Sequence, residues 1–461
     1  MKVILKFLIT IVLTITILFS IAACLGNRDE SKMLEQIINP NRDDFIGETL
    51  TIATLWDADF FSTLAQAYMS RNRGAKIEII NYEPIMRPDG NLSGVRQEIN
   101  TQLMAGSAPT LFIRGLVDYF NPQAAQYLFD WFTLMNADPD FNEDDWFMNV
   151  FHAMTIENRL YAFPMFFNYD RVTVNTAIDG LYEMLEGRDG ITINELMEIY
   201  NEMKIDNSYG FLAQFWLTRM LRGNINDFVD INTGHIEFGN DFIELITDAK
   251  SLVNFDYYAP SVFRNTILYE IDVYHGERYM FMYDDYSLVS RRLIPTYTHQ
   301  YFKGTFPIVN DRGEIIIYSD LCVMLNANAT PIQKALAWDF MKFIMTADNF
   351  PEGLSGFVLS TNRDLYYRLL RREIGMRDFF FHNIADVNIG KLIEEINVHF
   401  TKIAERPMAY WFRLPHFLIG QSDSVINVAL RQFEEGLISA EDTAANLQSQ
   451  VELIFMEMGF R

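Results

Sequence analysis

Side chains that could catalyse a reaction are abundant in this chain, but few are spaced as a catalytic centre requires. Two carboxylates suffice for acid–base hydrolysis of a glycoside, yet 61 Asp and Glu residues make adjacent pairs such as Asp144-Asp145 and Asp284-Asp285 a matter of chance. We expect Asp144-Asp145 to be a solvated surface pair. The seven histidines are scattered, and the HExxH, GxSxG and G-x-x-x-x-G-K-[ST] patterns are absent. The sequence therefore predicts no metal centre, no cofactor and no catalytic site.

Binding chemistry has better candidates, because several aromatic and charged residues follow directly after predicted strands. Trp56 and Asp57 end the first strand, Arg114 ends the third, and Trp216 follows a later one. Ligands of open α/β sheets collect at the carboxyl ends of strands. A place in the core is the alternative for Trp56, Asp57 and Trp216, and a surface position before a helix is the alternative for Arg114.

The elements that would position these residues alternate between strands and helices. Thr49–Trp56, Lys76–Tyr82 and Leu111–Ile113 read as strands, with helical spacing of apolar residues between them. This order is typical of a parallel α/β sheet. The alternation recurs later in the chain, so we expect two α/β lobes. The later predicted strands are Arg171–Asn175, Gly210–Phe215, Tyr279–Tyr283 and a strand pair within Ile315–Asn326; the later predicted helices include those after the caps Thr192 and Ser439 and those within Asn240–Val253 and Ile332–Ile344.

Composition narrows the class of protein. A hydrophobic fraction of 49% with 21% charged residues is typical of a globular chain. The formal net charge of −24 repels phosphate backbones and anionic lipid headgroups, so we expect no nucleic-acid partner. Cys24 and Cys322 are too far apart for a metal or redox motif, and Cys322 lies in an apolar strand and is expected to be core. Among the aromatic residues, Trp131, Trp146 and Trp338 are expected to be structural.

The N-terminus has the features of an export signal. Lys2 and Lys6 precede an apolar run from Phe7 to Ala23, and small residues stand before Cys24. Ile21-Ala22-Ala23-Cys24 resembles a bacterial lipobox, which implies that residues 1–23 are a lipoprotein signal peptide and that Cys24 is lipidated. An uncleaved transmembrane anchor is the alternative, since about 17 apolar residues can just span a bilayer. Either reading ties an extracytoplasmic chain to the cell membrane, and residues 24–48 are predicted to be a polar tether.

The order of short motifs along the chain resembles the extracellular solute-binding lipoproteins of ABC sugar importers, the group that includes maltose-binding protein. Each motif is weak alone, but their order and spacing together are fairly specific across residues 48–458. The segments that carry the resemblance are Thr49–Met69, Leu103–Pro109, Leu160–Pro164, Gly276–Met280, Lys334–Phe343 and Glu435–Asp442. Thr110, Arg278 and Tyr279 depart from the residues usual in that group.

The resemblance implies a periplasmic-binding-protein-like fold of type II, in which two α/β lobes are joined by hinge strands. By analogy, residues 49–165 and 306–348 form lobe 1, and residues 166–305 and 349–461 form lobe 2. It also implies that the ligand lies between the lobes. Tyr169 follows the implied hinge, Asp285 and Tyr286 occupy the implied ligand loop, and Trp411 lies in a loop-like stretch between prolines. Sugars stack on aromatic rings and pair their hydroxyl groups with planar polar groups, so these residues join the ligand-binding candidates.

The leading hypothesis is a lipid-anchored receptor that captures a carbohydrate, most readily an oligosaccharide, and delivers it to the permease subunits of an ABC importer without performing a reaction. A secreted carbohydrate-active enzyme is a second hypothesis, which turnover of a glycan would support. A sensory or adhesive lipoprotein on the same two-lobed body is a third.

Overall fold

The computed structural model describes part of the chain, and the strands and helices lie within that part. The described residues are 31–55, 57–86, 92–113, 115–203, 210–213, 217–230, 233–252, 279–285, 302–346, 348, 350, 359–377, 394, 398, 400–410 and 424–457. The strands are β1 (Thr49–Thr54), β2 (Lys76–Asn81), β3 (Leu111–Ile113), β4 (Ala162–Asn175), β5 (Gly210–Ala213), β6 (Val229–Asp230), β7 (His235–Ile236), β8 (Tyr279–Asp285), β9 (Phe302–Pro307), β10 (Ile315–Leu325) and β11 (Met408–Tyr410).

Helices occupy much of the remaining described chain. They are α1 (Ala58–Arg71), α2 (Glu83–Met86), α3 (Leu92–Ala105), α4 (Pro122–Ala125), α5 (Trp131–Ala137), α6 (Met148–Ala153), α7 (Ile193–Met203), α8 (Leu217–Phe228), α9 (Asn240–Leu252), α10 (Pro331–Met345), α11 (Arg363–Arg377), α12 (Val425–Glu434) and α13 (Ala440–Glu457), with short 3-10 helices at Arg42–Phe45 and Glu143–Asp145. None of the helices within the described residues has both the length and the apolar composition needed to cross a bilayer.

The first sheet has the strand order β2-β1-β3-β10-β4. β1 pairs in parallel with β2 and β3, whereas β10 is antiparallel to both β3 and β4. Helices pack on this sheet: α1 packs on β2, α10 packs on β1, and Trp131 of α5 donates its indole N–H to the carbonyl of Val323 at 2.9 Å. Cys322 and the three tryptophans expected to be structural are buried, as predicted, and Asp144 and Asp145 are exposed, as predicted.

The long strand β4 joins the first sheet to a second group of strands. Its first half, as far as Asn168, pairs with β10, and its second half pairs with β8 on one side and β9 on the other. β5 then adds in parallel to β8. All 14 residues of β4 are buried, so both of its faces are covered along its whole length. One strand therefore belongs to both sheets and connects them.

The segment predicted as a tether is partly folded. Residues 31–38 form a helix, and Ile37 and Ile38 are buried in the core. The 3-10 helix Arg42–Phe45 follows, capped by the Asn41 side chain, with Phe45 also buried. Residues 31–48 therefore pack with the folded body. Of the predicted tether, only residues 24–30 remain as a spacer, and they lie outside the described residues.

The described residues of 359–377 and 400–410 include segments that contact the first sheet. The carbonyl of Leu359 accepts a hydrogen bond from Phe167 at 2.9 Å, and β11 pairs in parallel with the start of β10. By contrast, α12 and α13 pack with α8 and α9. Residues 349–461 are expected to form one part of lobe 2. These contacts instead favour a division of that segment between the two lobes after Tyr410.

One local prediction was wrong. The sequence suggests a strand pair within Ile315–Asn326, but β10 is a single strand with an irregular register between Tyr318 and Cys322. Ser319 explains the irregularity, because its hydroxyl group donates to the carbonyl of Phe166 at 2.6 Å within the sheet instead of making a turn. A polar residue in an apolar run can mark a bulge as well as a hairpin.

Candidate functional site

The strand directions place the carboxyl ends of the two sheets opposite one another. β3 and β4 are both antiparallel to β10, so β1, β3 and the first half of β4 run in the same direction, towards the second sheet. β8 is antiparallel to β4, and β5 is parallel to β8, so both run back towards the first sheet. Because loops at carboxyl strand ends form the ligand sites of such sheets, the junction crossed by β4 is the candidate site.

Thr54 and Asp57 form the described edge of this junction at the end of β1. Thr54 is fully buried, and Asp57 is 8% exposed. Asp57 occupies the N-cap position of α1, where its carbonyl accepts a hydrogen bond from Phe61 at 3.0 Å, while its side chain does not cap the helix. The positive end of the helix dipole stabilises a carboxylate there. Asp57 therefore places a carboxyl group beside the end of β1.

A charged side chain of α3 bonds to the loop after β3. Arg96 of α3 donates from Nε to the carbonyl of Gly115 at 2.8 Å. Burial raises the pKa of Asp118, against the opposing charge of Arg96 and hydrogen bonds from the backbone N–H groups of Phe120 and Asn121. Burial likewise lowers the pKa of Arg96, and Asp118 opposes this. The Arg96 side chain thus bonds to the backbone directly after residue 114 and constrains the position of the loop.

The crossing strand carries a row of buried polar residues. Asn168 is 9% exposed, Tyr169 is fully buried, and Asp170 and Arg171 are each 1% exposed. The carbonyl of Asp170 accepts a hydrogen bond from Ile308 at 2.8 Å, which joins the strand to the end of β9. In the β4–β8 ladder, Asp170 stands opposite Asp285, and Arg171 stands opposite Asp284. Charged side chains buried to this extent require partners. Asp170 and Arg171 therefore restrict how β4 can pack against its neighbouring strands.

A tyrosine pair joins the loop after β3 to the end of β11. The hydroxyl group of Tyr119 donates to that of Tyr410 at 3.0 Å, and both side chains are buried. Burial, followed by the nearby Tyr410, raises the pKa of Tyr119 well above its ordinary value, so this hydroxyl group stays protonated. Tyr410 immediately precedes Trp411 in the sequence. The pair thus anchors the start of the Trp411 segment beside the carboxyl end of β3.

The described residues include only part of the predicted binding set. Asp57 and Tyr169 are described in full, and both lie at the junction. Asp285 ends β8 and is described for its backbone alone. The remaining predicted ligand-binding residues, all outside the described residues, are Trp56, Arg114, Trp216, Tyr286 and Trp411. The predicted lipidation site, Cys24, lies outside them as well.

Sequence reasoning missed residues that the structure brings to this junction, chiefly Arg96, Arg171 and Asn175. The segment Arg171–Asn175 alternates polar and apolar residues, a pattern typical of a strand with one exposed face. In the structure both faces are covered, and Asn175 is fully buried.

Among known proteins, similar ones were found by comparison of structures and not by comparison of sequences. No protein-family model matches the chain, and no curated protein matches it. The sugar-binding protein MalE from Xanthomonas citri superposes with a TM-score of 0.59 at 13% identity, covering 89% of this chain and 98% of that chain. A solute-binding protein from Agrobacterium radiobacter K84 in complex with ribitol gives 0.55 at 14% identity, covering 89% and 100%. A Rhizobium etli sugar transporter in an open conformation gives 0.55 at 16%, covering 88% and 99%.

These likenesses extend over nearly the whole of each known structure and confirm the fold predicted from the sequence. The neighbours are sugar- and polyol-related solute-binding proteins, but at such low identities they establish architecture and not ligand. The chain has the two-lobed α/β fold of type II periplasmic binding proteins, with β4 as a strand common to both sheets.

Proposed function

We propose that this chain is a lipid-anchored, extracytoplasmic solute-binding protein that captures a carbohydrate, most readily an oligosaccharide, between its lobes and delivers it to the permease of an ABC importer. The observation that carries the proposal is the shared fold, which aligns with nearly the full length of proteins described as binding sugars or polyols. Those ligands include ribitol, maltose and mannotriose. The chain itself performs no reaction in this proposal.

The strand directions at the junction support the proposal. Because the carboxyl ends of both sheets face each other across β4, a ligand held there would touch both lobes. A ligand that contacts both lobes binds the closed form better than the open form and so shifts the population towards closure. Closure then presents a different surface to the permease than the empty form does.

The residues proposed to contact the ligand come from both sides of the junction. Trp56, Trp216, Tyr286 and Trp411 would stack on sugar rings, and Asp57, Arg114 and Asp285 would pair with hydroxyl groups. Asp57 and Tyr169 are covered in the described conformation, so their contact with a ligand would require the lobes to move apart. For the lobes, we propose residues 49–165, 306–348 and 359–410 on one side and residues 166–305 and 424–457 on the other.

Lipid anchoring is part of the proposal and is supported by the sequence of the N-terminus. Cys24 follows a basic and apolar leader, and the folded body begins by residue 31. Lipidation at Cys24 would leave only six residues before that body, a reach of about 20 Å when fully extended. The protein would therefore be held close to the membrane that contains the permease.

The test is a ligand screen on the full chain in detergent, with monosaccharides, oligosaccharides, peptides and polyamines. A carbohydrate that binds only the folded state is expected to raise the unfolding midpoint, by about 2.7 kcal/mol of stabilisation at a hundredfold excess over Kd. Solution scattering with that sugar should show a smaller radius of gyration. A flat response to all sugars, or release of a product from the bound sugar, would overturn the proposal.

Asp57 offers a matched pair of variants for the same screen. Asp57→Asn is expected to raise Kd by about tenfold or more, because a charged acceptor for a sugar hydroxyl group is lost. Asp59→Asn, on the exposed face of α1 two residues away, should leave Kd unchanged. Equal Kd values for both variants would remove Asp57 from the site while leaving the receptor proposal open to the sugar screen.

A further inference from the structure

A cavity of about 310 Å³ lies at the C-terminal end of α1, far along the helix from Asp57. It is lined by three arginines, Arg42, Arg71 and Arg73, together with Phe45, Ser70, Asn72 and Ala75, and none of these lining residues is acidic. All three arginines are exposed. In a chain with a formal charge of −24, three arginines around one cavity call for an explanation, although Asp43 and Asp44 follow Arg42 in the same 3-10 helix.

Stabilisation of the helix end accounts for only part of the cluster. A cation in the last turn of a helix interacts favourably with the dipole, which explains Arg71. Arg42, however, comes from a different segment and is brought in by a hydrogen bond from Nη1 to Oδ1 of Asn72 at 2.7 Å. Asn72 in turn donates to the carbonyl of Tyr68, at 3.1 Å, so its amide is oriented from both sides. Guanidinium groups contributed by two chain segments suit a phosphate group, which they can bind through paired N–H donors.

An exposed apolar side chain lies beside this cavity. Ile46 is 64% exposed and immediately follows the 3-10 helix that carries Arg42 and Phe45. It packs on the loop that holds Arg73: Gly74 has a φ of +99°, and a Cβ atom there would lie 2.8 Å from Cγ1 of Ile46. Glycine therefore allows the two loops to approach. Exposed cations beside an exposed aliphatic side chain are typical of a surface that rests in the headgroup region of a membrane.

The position in the chain agrees with this arrangement. Arg42 follows the helix of residues 31–38 by only four residues, and that helix begins within seven residues of Cys24. Whether the chain is held by a lipid on Cys24 or by its apolar leader, the cavity is among the first folded features to meet the bilayer.

We propose that Arg42, Arg71, Arg73 and Ile46 form a membrane-docking surface that binds the phosphate groups of anionic phospholipids and so sets the orientation of the body on the bilayer. The lipid phosphates compensate the arginines, and Ile46 enters the headgroup layer. The proposal uses the membrane attachment of the proposed function but is independent of the sugar ligand.

Amide hydrogen exchange of the full chain in nanodiscs tests the surface directly. In discs with about one quarter phosphatidylglycerol, exchange over residues 41–47 and 72–76 is expected to be about threefold or more slower than in phosphatidylcholine discs. The double variant Arg71→Gln/Arg73→Gln should lose that difference. The matched variant Lys402→Gln/Arg431→Gln, which removes two exposed cations elsewhere, should keep it.

A further arm separates a lipid headgroup from free phosphate. Inorganic phosphate, compared with chloride at equal ionic strength, is added to the phosphatidylcholine discs. Membrane docking would be overturned if free phosphate slowed the exchange and phosphatidylglycerol did not. Equal exchange rates in both kinds of disc would overturn it as well. Failure of the sugar screen leaves these results unaffected, and the intact mass of the chain reports separately on lipidation at Cys24.

Discussion

Asp138 is a buried acid that gathers three donors at the end of α5. It accepts hydrogen bonds from Nε1 of Trp338 at 2.7 Å, from Nζ of Lys342 at 2.7 Å and from the N–H of Asp140 at 2.9 Å. Burial alone would raise the pKa of Asp138, but the bonds from Lys342, Asp140 and Trp338 together hold it below its ordinary value. A depressed pKa contributes stability above the ordinary aspartate pKa of about 3.9, and this stability is lost as the pH falls through the folded-state pKa.

Asp138→Asn is therefore expected to lower the free energy of unfolding by about 2 kcal/mol at pH 7, since hydrogen bonds to a charged acceptor are lost. The deficit should shrink as the pH falls below about 4. Urea unfolding at pH 7, 4 and 3 measures both effects. Asp140→Asn is the control, because the Asp140 side chain is exposed and only its backbone contributes. A loss that is the same at pH 3 and pH 7 would contradict this account.

Glu434 shows the opposite behaviour at the end of α12. Its Oε1 accepts a hydrogen bond from Leu217 at 2.9 Å, at the first turn of α8. Burial raises the pKa of Glu434, and the bond from Leu217 opposes this only in part. The stability linked to this group is thus fully present below the ordinary glutamate pKa and is lost as the pH rises through the raised value.

Glu434→Gln keeps an acceptor for Leu217 and removes the charge. We expect the variant to match the parent protein near pH 4 and to be the more stable of the two at pH 8, with thermal unfolding midpoints as the measurement. Glu244→Gln, on the exposed face of α9, should show no such crossover. A variant that is less stable than the parent at pH 8 would mean that the charged form is favoured after all.

Among the elements, α10 is defined by its capping. The hydroxyl group of Thr330 accepts from the N–H of Gln333 at 3.2 Å, and Oε1 of Gln333 accepts from the N–H of Thr330 at 3.1 Å. Pro331 occupies the first helical position, where its missing N–H has no cost. This helix covers β1 and carries Trp338, so its start matters for the first sheet.

Thr330→Ala is expected to cost about 1 kcal/mol because the capping bond is lost. Thr330→Ser should restore most of it, since serine supplies the same hydroxyl group. The difference between the two variants in denaturant midpoint is the measurement. Equal midpoints would show that Pro331 and the packing of the helix fix its start without the cap.

Short-range signals in the sequence were sufficient for most elements. The predicted cap at Thr192 is present, with the N–H of Glu195 bonded to the Thr192 hydroxyl group at 3.1 Å, and the Ser439 cap is present as well. What local patterns could not supply was the extent of β4, which is a strand from Ala162 to Asn175 although only its last five residues alternate. Its first residues are strand because β10, more than 150 residues later in the chain, pairs with them.

The candidate site was predictable in position but not in detail. Asp57 at the end of β1 could be selected because the carboxyl end of a parallel strand is visible in the sequence as a change from apolar to polar residues. Arg96 could not, because its role depends on meeting Gly115 in space. Arg171 was concealed by an alternation that normally marks an exposed face, and only pairing on both sides of β4 buries it.

On the scale of the whole molecule, Arg406 connects segments that are far apart in the sequence. Its guanidinium group donates to the carbonyl of Asp189, in the connection between β4 and α7, and to that of Gly313 at 3.2 Å. The Asn149 side chain of α6 holds its backbone, donating to the carbonyl of Arg406 at 2.7 Å. A single arginine thus links α6, the turn before β10 and the connection between β4 and α7.

Arg406→Gln is expected to destabilise the protein by about 1–3 kcal/mol, since charge-assisted hydrogen bonds are lost, and to increase the radius of gyration of the unliganded protein. Calorimetry and solution scattering measure the two effects. Arg431→Gln, which changes an exposed arginine on α12, should do neither. Destabilisation with an unchanged radius would indicate a local structural role without control of the lobe arrangement.

The order of strands in the first sheet also has a consequence in time. β1, β2 and β3 lie before residue 114, but their neighbour β10 begins at Ile315 and β11 begins at Met408. A ribosome therefore synthesises more than two thirds of the chain before the open edge of β3 meets its partner. Pairing across such separations is slow, so we expect the first sheet to be completed only late in synthesis. Until then the edge of β3 is open, and an open strand edge is a template for aggregation. If the chain is exported as proposed, the same delay would keep it in the unfolded form that crosses a membrane.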